Sequence, residues 1–176
     1  MKRDSRSTAK APAIFLLIEE PRWREDASIL RLIRRAVRVT LAFPGQAAPL
    51  PRMGREKSVT VLLSNNTKLR ALNEGFRGKN KPTNVLAFAP AGDPASLGDI
   101  AMAFGVVKSE ARAQNKNLAE HAAHLAMHGA LHLLGYDHEK SSDARRMEAL
   151  EIELLATLGI ADPYRPRPYT RGRKAS

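Results

Sequence analysis

Leu118-Ala-Glu-His-Ala-Ala-His-Leu-Ala-Met-His128-Gly-Ala-Leu-His132-Leu-Leu-Gly135 is the stretch on which the fold turns. It reads as one long apolar helix from about Leu118 to Leu134, with Gly135 where a left-handed C-cap is expected. A helix this apolar has to be covered by other elements. Downstream, a helix opens at Ser141 or Ser142 and runs to about Leu158, with Met147, Leu150, Ile152, Leu154, Leu155 and Leu158 as its buried side. Upstream, short β-favouring runs alternate with amphipathic ones. Ala13–Glu19, Ser58–Leu63, Asn84–Ala89 and Leu97–Phe104 read as strands. Asp26 caps a helix to about Ala42, buried through Ile29, Leu30, Ile33, Val37 and Leu41, with Arg31, Arg34, Arg35 and Arg38 on its polar side. Asn65 or Asn66 caps a short helix with Leu69, Leu72 and Phe76, and Val106 to about Gln114 is helical. Strands and helices mix without an internal repeat. The expected class is one α+β domain of mixed α/β type, with about four strands packed around the histidine-bearing helix and further helices flanking it.

The chain has 176 residues, enough for one domain with a substantial core. Residues 1–12 and 163–176 are basic, lack periodicity and read as disordered arms around a domain spanning 13–162. There is no cysteine, which excludes disulfides and thiolate metal sites. The net charge is +11, and it is unevenly spread. Residues 51–81 carry eight bases against two acids, whereas residues 82–160 carry six bases against ten acids. Such a balance fits a polyanionic partner, nucleic acid above all. No run of 18 apolar residues exists, so no membrane span is expected. The apolar stretch after the basic start is too short for a secretory signal, and a cytoplasmic location is expected.

All five histidines, His121, His124, His128, His132 and His138, fall within 18 residues. His128 and His132 are four apart, which puts both imidazoles on one helix face with Cβ atoms roughly 5–6 Å apart. His138 follows the turn at Gly135 and can fold back over the helix end. A lone H-x-x-x-H reads as satisfied core or surface histidines, but Gly135 and His138 shift the reading to a metal. Three neutral histidines with an open fourth position describe a catalytic zinc site, one ion per chain. Asp137 stands beside His138 and can orient a ring N–H. His124, four residues before His128, is read as packing or as a support behind the ligands. The H-E-x-x-H pattern of zinc peptidases would put a glutamate at 129, but the residue is Gly129, a costly choice inside a helix. It implies a close approach to the backbone there. On the loop at 77–83, Arg77, Lys79 and Lys81 can present cations to phosphates.

The run His128-Gly-Ala-Leu-His132-Leu-Leu-Gly-Tyr-Asp-His138 resembles the H-G-x-L-H-L-x-G-Y-D-H signature of the YbeY family of ribosomal RNA maturation endoribonucleases. LNEGFRGKNKPTNVLAF at 72–88 and LGDI at 97–100 are similar to two further blocks of that family, in the same order. Ala87 replaces a usual serine and Asn80 a common aspartate. The resemblance implies a zinc-dependent, single-strand-specific endoribonuclease acting in 3′-end maturation of 16S ribosomal RNA and in ribosome quality control. It implies His128, His132 and His138 as zinc ligands and Arg77 as a functional residue of the cleft. The partners would be single-stranded RNA, ribosomal RNA and the small ribosomal subunit, and the protein is expected to be a monomer. Two readings compete with it: a zinc peptidase or other metal-dependent hydrolase, which Gly129 and the charge disfavour, and a non-catalytic ribosome-assembly factor with a structural zinc.

Overall fold

The computed structural model describes residues 12–43, 57–136 and 141–165. Asp137 and His138, and most of both charged arms, lie outside the described residues. Four strands form one mixed sheet: β1 (Ala13–Ile18), β2 (Ser58–Ser64), β3 (Val85–Phe88) and β4 (Ser96–Ala103), in the order β1-β2-β4-β3. The first three neighbours are parallel, and β3 pairs antiparallel with β4 at the edge.

Helices cover both faces. α1 (Ala27–Ala42) follows β1, with Asp26 accepting from the Ser28 N–H at 2.7 Å. Its Ile29, Ile33, Ala36, Val37 and Leu41 are buried, whereas its four arginines are exposed, as helical spacing requires. It lies beside α4 (Leu118–Leu133), and α4 also packs on β3 and β4. α2 (Asn66–Arg77) sits on the opposite face, where Leu69 closes a second, smaller core with Leu86, Ala101 and Ala103. α3 (Phe104–Ala113) begins directly after the last residue of β4 without a loop, earlier than the spacing predicts. α5 (Ser141–Thr157) packs against α4 and α1. Among the described residues no helix is long and apolar enough to cross a membrane.

Three details depart from the sequence reading or complete it. A 3-10 turn at Pro21–Arg24, which periodicity does not reveal, buries Trp23. The Trp23 indole N–H donates to the Ser64 carbonyl at 3.1 Å, and its ring meets Phe104 edge-on at 5.1 Å. Residues 163–165, assigned to the tail on composition, instead turn back onto the domain. Pro163 is buried and its carbonyl accepts from Lys116 Nζ at 2.6 Å. The close approach expected at Gly129 is the sheet itself: a Cβ there would stand 3.0 Å from Ile100 Cγ2.

Gly98 explains why the Leu-Gly-Asp-Ile stretch needs its glycine. Its φ is +120°, and a Cβ would fall 2.3 Å from the Phe88 carbonyl oxygen and 2.7 Å from Leu133 Cδ2. This conformation is essentially glycine-only. Gly98→Ala should therefore cost about 3 kcal/mol or more, read as a lowered urea midpoint. An unchanged midpoint would mean that β3 and β4 are not in this register.

Candidate active site

His128 and His132 project from one face of α4, as their spacing dictates. Their rings are 81° apart in plane, and the two Nε2 atoms are 3.1 Å apart. Two imidazole nitrogens on one tetrahedral zinc, each at 2.0–2.1 Å, would be about 3.3 Å apart. His128 Nδ1 lies 2.7 Å from Glu151 Oε1. An ionised carboxylate only accepts, so in the neutral ring Nδ1 carries the proton and Nε2 the lone pair. The donor set, imidazole nitrogen without thiolate, suits a borderline divalent ion such as zinc. Among the described residues no three His, Cys, Asp or Glu side chains are grouped to hold a metal. The third histidine of the motif, His138, and its neighbour Asp137 lie outside the described residues.

A cleft of about 560 Å³ opens in front of this pair, with Arg77, Thr83, Asn84, His128, His132 and Tyr136 among its lining residues. Arg77 ends α2, and Gly78 at φ +66° turns the chain away from the helix. The loop that follows is tied from beneath by buried Asn73, whose side-chain amide donates to the Lys81 carbonyl at 2.8 Å. That bond gives the Leu-Asn pair of the second block a physical role. Leu72 packs on the smaller core while Asn73 fixes the loop behind Arg77. Lys79 and Lys81 are exposed on this loop and are not among the cleft-lining residues.

Two carboxylates hold the walls of the cleft from behind, and neither stood out from the sequence. Asn84 accepts from its neighbour Val85 N–H at 2.7 Å and donates to both oxygens of Glu110 at 3.2 Å. Glu110 also accepts from His121 Nε2 at 2.9 Å. Burial pushes the Glu110 carboxyl up, but the His121 and Asn84 hydrogen bonds outweigh it and leave it below its ordinary value. On the other wall, Glu151 of α5 accepts from His128 Nδ1, from His124 Nε2 at 2.9 Å and from the Tyr164 hydroxyl. His124 is thus one carboxylate removed from His128. With His121 it borders a small void away from the cleft, and the Nδ1 atoms of both are buried without a hydrogen-bond partner among the described residues. The signal for Glu151 was present in the spacing. It falls on the same stripe as Met147, Leu150, Leu154 and Leu155, where an acid is out of place unless paired.

The model of the endoribonuclease YbeY family matches residues 24–159. An endoribonuclease YbeY of Bradyrhizobium diazoefficiens is 40% identical over 168 residues, covering 90% of this chain and 88% of its own length. One of Azorhizobium caulinodans is 43% identical over 157 residues, covering 86% and 95%. The solution structure of TM1509 from Thermotoga maritima shares the fold, with a TM-score of 0.52 at 23% identity over 86% of this chain and 99% of that one.

Glu151 sets an acid limb to stability. Burial pushes its carboxyl up, but hydrogen bonds from His124 and His128, helped by Tyr164, hold it down at about 2 against an ordinary 4.5. Between those values the folded chain binds fewer protons than the unfolded one, so its contribution is complete above about pH 4.5 and is lost as pH falls towards about 2. In chelator-treated protein, Glu151→Gln should remove a pH-dependent share on the order of 3 kcal/mol from urea stabilities measured across that window. Equal acid slopes for the two proteins would refute the ionised, triply bonded carboxylate.

Proposed function

This chain belongs to the endoribonuclease YbeY family, and on that premise we propose that it is a zinc-dependent endoribonuclease that cuts single-stranded RNA during 3′-end maturation of 16S ribosomal RNA. The observation that carries the reading is the convergence of His128 and His132 Nε2 at 3.1 Å in a cleft that Arg77 also lines. His128, His132 and His138 would hold one zinc per chain. Bound zinc would supply an acidified water and Lewis-acid polarisation of a phosphoryl oxygen.

The chain's own residues do the rest. Arg77 grips a non-bridging phosphate oxygen pair in bidentate fashion, a geometry lysine cannot copy. Attack on the phosphodiester builds negative charge on those oxygens, and a fixed guanidinium stabilises it. Thr83 and Asn84, on the same wall, offer hydrogen bonds that orient the strand. Lys79 and Lys81 bind flanking phosphates, and the positive surplus of residues 51–81 draws the polyanion in. The substrate is the RNA of the small ribosomal subunit, and the protein works as a cytoplasmic monomer in ribosome biogenesis and quality control.

The peptidase alternative has no general base in the expected place. Position 129 is a glycine pressed against the sheet, with Ile100 Cγ2 3.0 Å from where a Cβ would be.

Two expectations test the reading. His128→Ala and His132→Ala should each remove most zinc from purified protein, seen by elemental analysis, and abolish RNA cleavage. Full zinc occupancy in both would overturn the metal assignment. Arg77→Lys and Arg77→Glu should keep zinc and melting behaviour while cleavage falls about 10²-fold or more, the glutamate variant falling further. Parent-like processing by Arg77→Glu would make Arg77 a bystander.

A further inference from the structure

Glu151 has no solvent-exposed surface, yet it lies on the apolar stripe of α5. A buried carboxylate is tolerated only when its lone pairs are matched by donors. Here three donors meet it, two from α4 and one from the turn after α5: His124 Nε2 at 2.9 Å, His128 Nδ1 at 2.7 Å and the Tyr164 hydroxyl. The carboxylate has no proton to give, so it dictates where the ring protons sit. His124 must carry its proton on Nε2 and His128 on Nδ1. The same helix thus holds two histidines in opposite tautomers, one turn apart, through a single acid.

Tyr164 is 46% exposed, but its hydroxyl reaches inward to this acid and its ring stands edge-on to His124 at 5.6 Å. The turn that carries it is fixed twice. Lys116 Nζ donates to the Pro163 carbonyl at 2.6 Å, and the Tyr164 N–H donates to Asp162 Oδ1 at 2.9 Å. A hydrophobic anchor would have served equally to join α5 to α4. A carboxylate at this point does something a leucine cannot: it selects a tautomer and aims a ring.

We infer that Glu151 is a positioning residue that locks His128 as its Nδ1–H tautomer with the Nε2 lone pair turned towards His132, and that Tyr164 clamps Glu151 in place. The inference rests on the reading of His128 as a metal ligand, but its first consequence is visible without metal. Such outer hydrogen bonds orient metal-binding histidines and raise their basicity, and their loss weakens binding about 10–100-fold.

The experiment uses full-length protein and three measurements. In metal-free protein, ring-nitrogen NMR of His128 should give the Nδ1–H form. In Glu151→Gln it should give a mixture of tautomers. Zinc chloride titrated against a competing chelator should bind Glu151→Gln about 10–100-fold more weakly than the parent, and Tyr164→Phe a few-fold more weakly. Thermal melts establish that each variant folds. A His128 that is Nε2–H in the metal-free parent overturns the inference whatever the variants do. A folded Glu151→Gln with parent zinc affinity and parent tautomer also overturns it, since a merely structural tie between α4 and α5 would leave both unchanged. If Glu151→Gln does not fold, Tyr164→Phe carries the test: affinity equal to the parent's refutes the clamp. A parent that binds no zinc but holds the Nδ1–H tautomer would sink the metal reading while leaving the positioning role of Glu151 standing.

Discussion

Helix α4 presses closest to the sheet at position 129, which has no side chain. A Cβ there would stand 3.0 Å from Ile100 Cγ2 and 3.4 Å from Val85 Cγ2, so Ile100 would have to give by a few tenths of an ångström. A glycine inside a helix costs roughly 1 kcal/mol against alanine, and here the cost is offset by contact of the helix backbone with the sheet. The histidines inherit their place from that contact. Residues 128 and 132 flank the pressed-down position, so their rings emerge beside the edge strand β3 rather than over the middle of the sheet. That edge is also where the end of α2 delivers Arg77, and the cleft is the space between the two.

Behind the cleft the molecule uses negative charge as scaffolding. Residues 82–160 carry an acid surplus that would repel a polyanion if all of it faced outward. Two of those acids do not. Glu110 holds Asn84 on one wall and Glu151 holds His128 on the other, each with a further histidine as a second donor. Tied to donors behind the cleft walls, these carboxylates fix the aim of the side chains they hold. The exposed bases of the 77–81 loop then dominate what an incoming strand meets.

The fold was largely legible because its main elements declare themselves by period: the alternating strands, the arginine-backed α1 and the apolar α4. The histidine pair was legible because four residues make one helical turn. What escaped depends on distant partners. Trp23 sits in a short turn with no periodic context, and its burial is explained only by Ser64 and Phe104. Glu151 looks like one more solvated acid on a charged helix until Met147, Leu150, Leu154 and Leu155 are seen to surround its stripe. Tyr164 was hidden by composition, since the Pro- and Arg-rich run around it reads as a tail, whereas Lys116 and Glu151 draw it in. Asn73 and Asn84 were visible within a recognisable block, but their work, bracing a loop and linking β3 to Glu110, is a property of tertiary contacts.

The parts of the cleft enter the chain in a fixed order: Arg77, Asn84, Glu110, the two histidines, then Glu151 and Tyr164. A chain is made from its N-terminus, so Glu151 and Tyr164 are the last of these parts to be added. Until α5 and the turn beyond it have been made, the carboxylate that fixes His128 is missing. At that stage His128 would have no acid behind it, and its ring would be free to turn and to exchange tautomers. Only when α5 and the turn beyond it arrive does the ring settle. The aim of that ring is thus the last feature of the cleft to be set, because the groups that fix it are the last to be made.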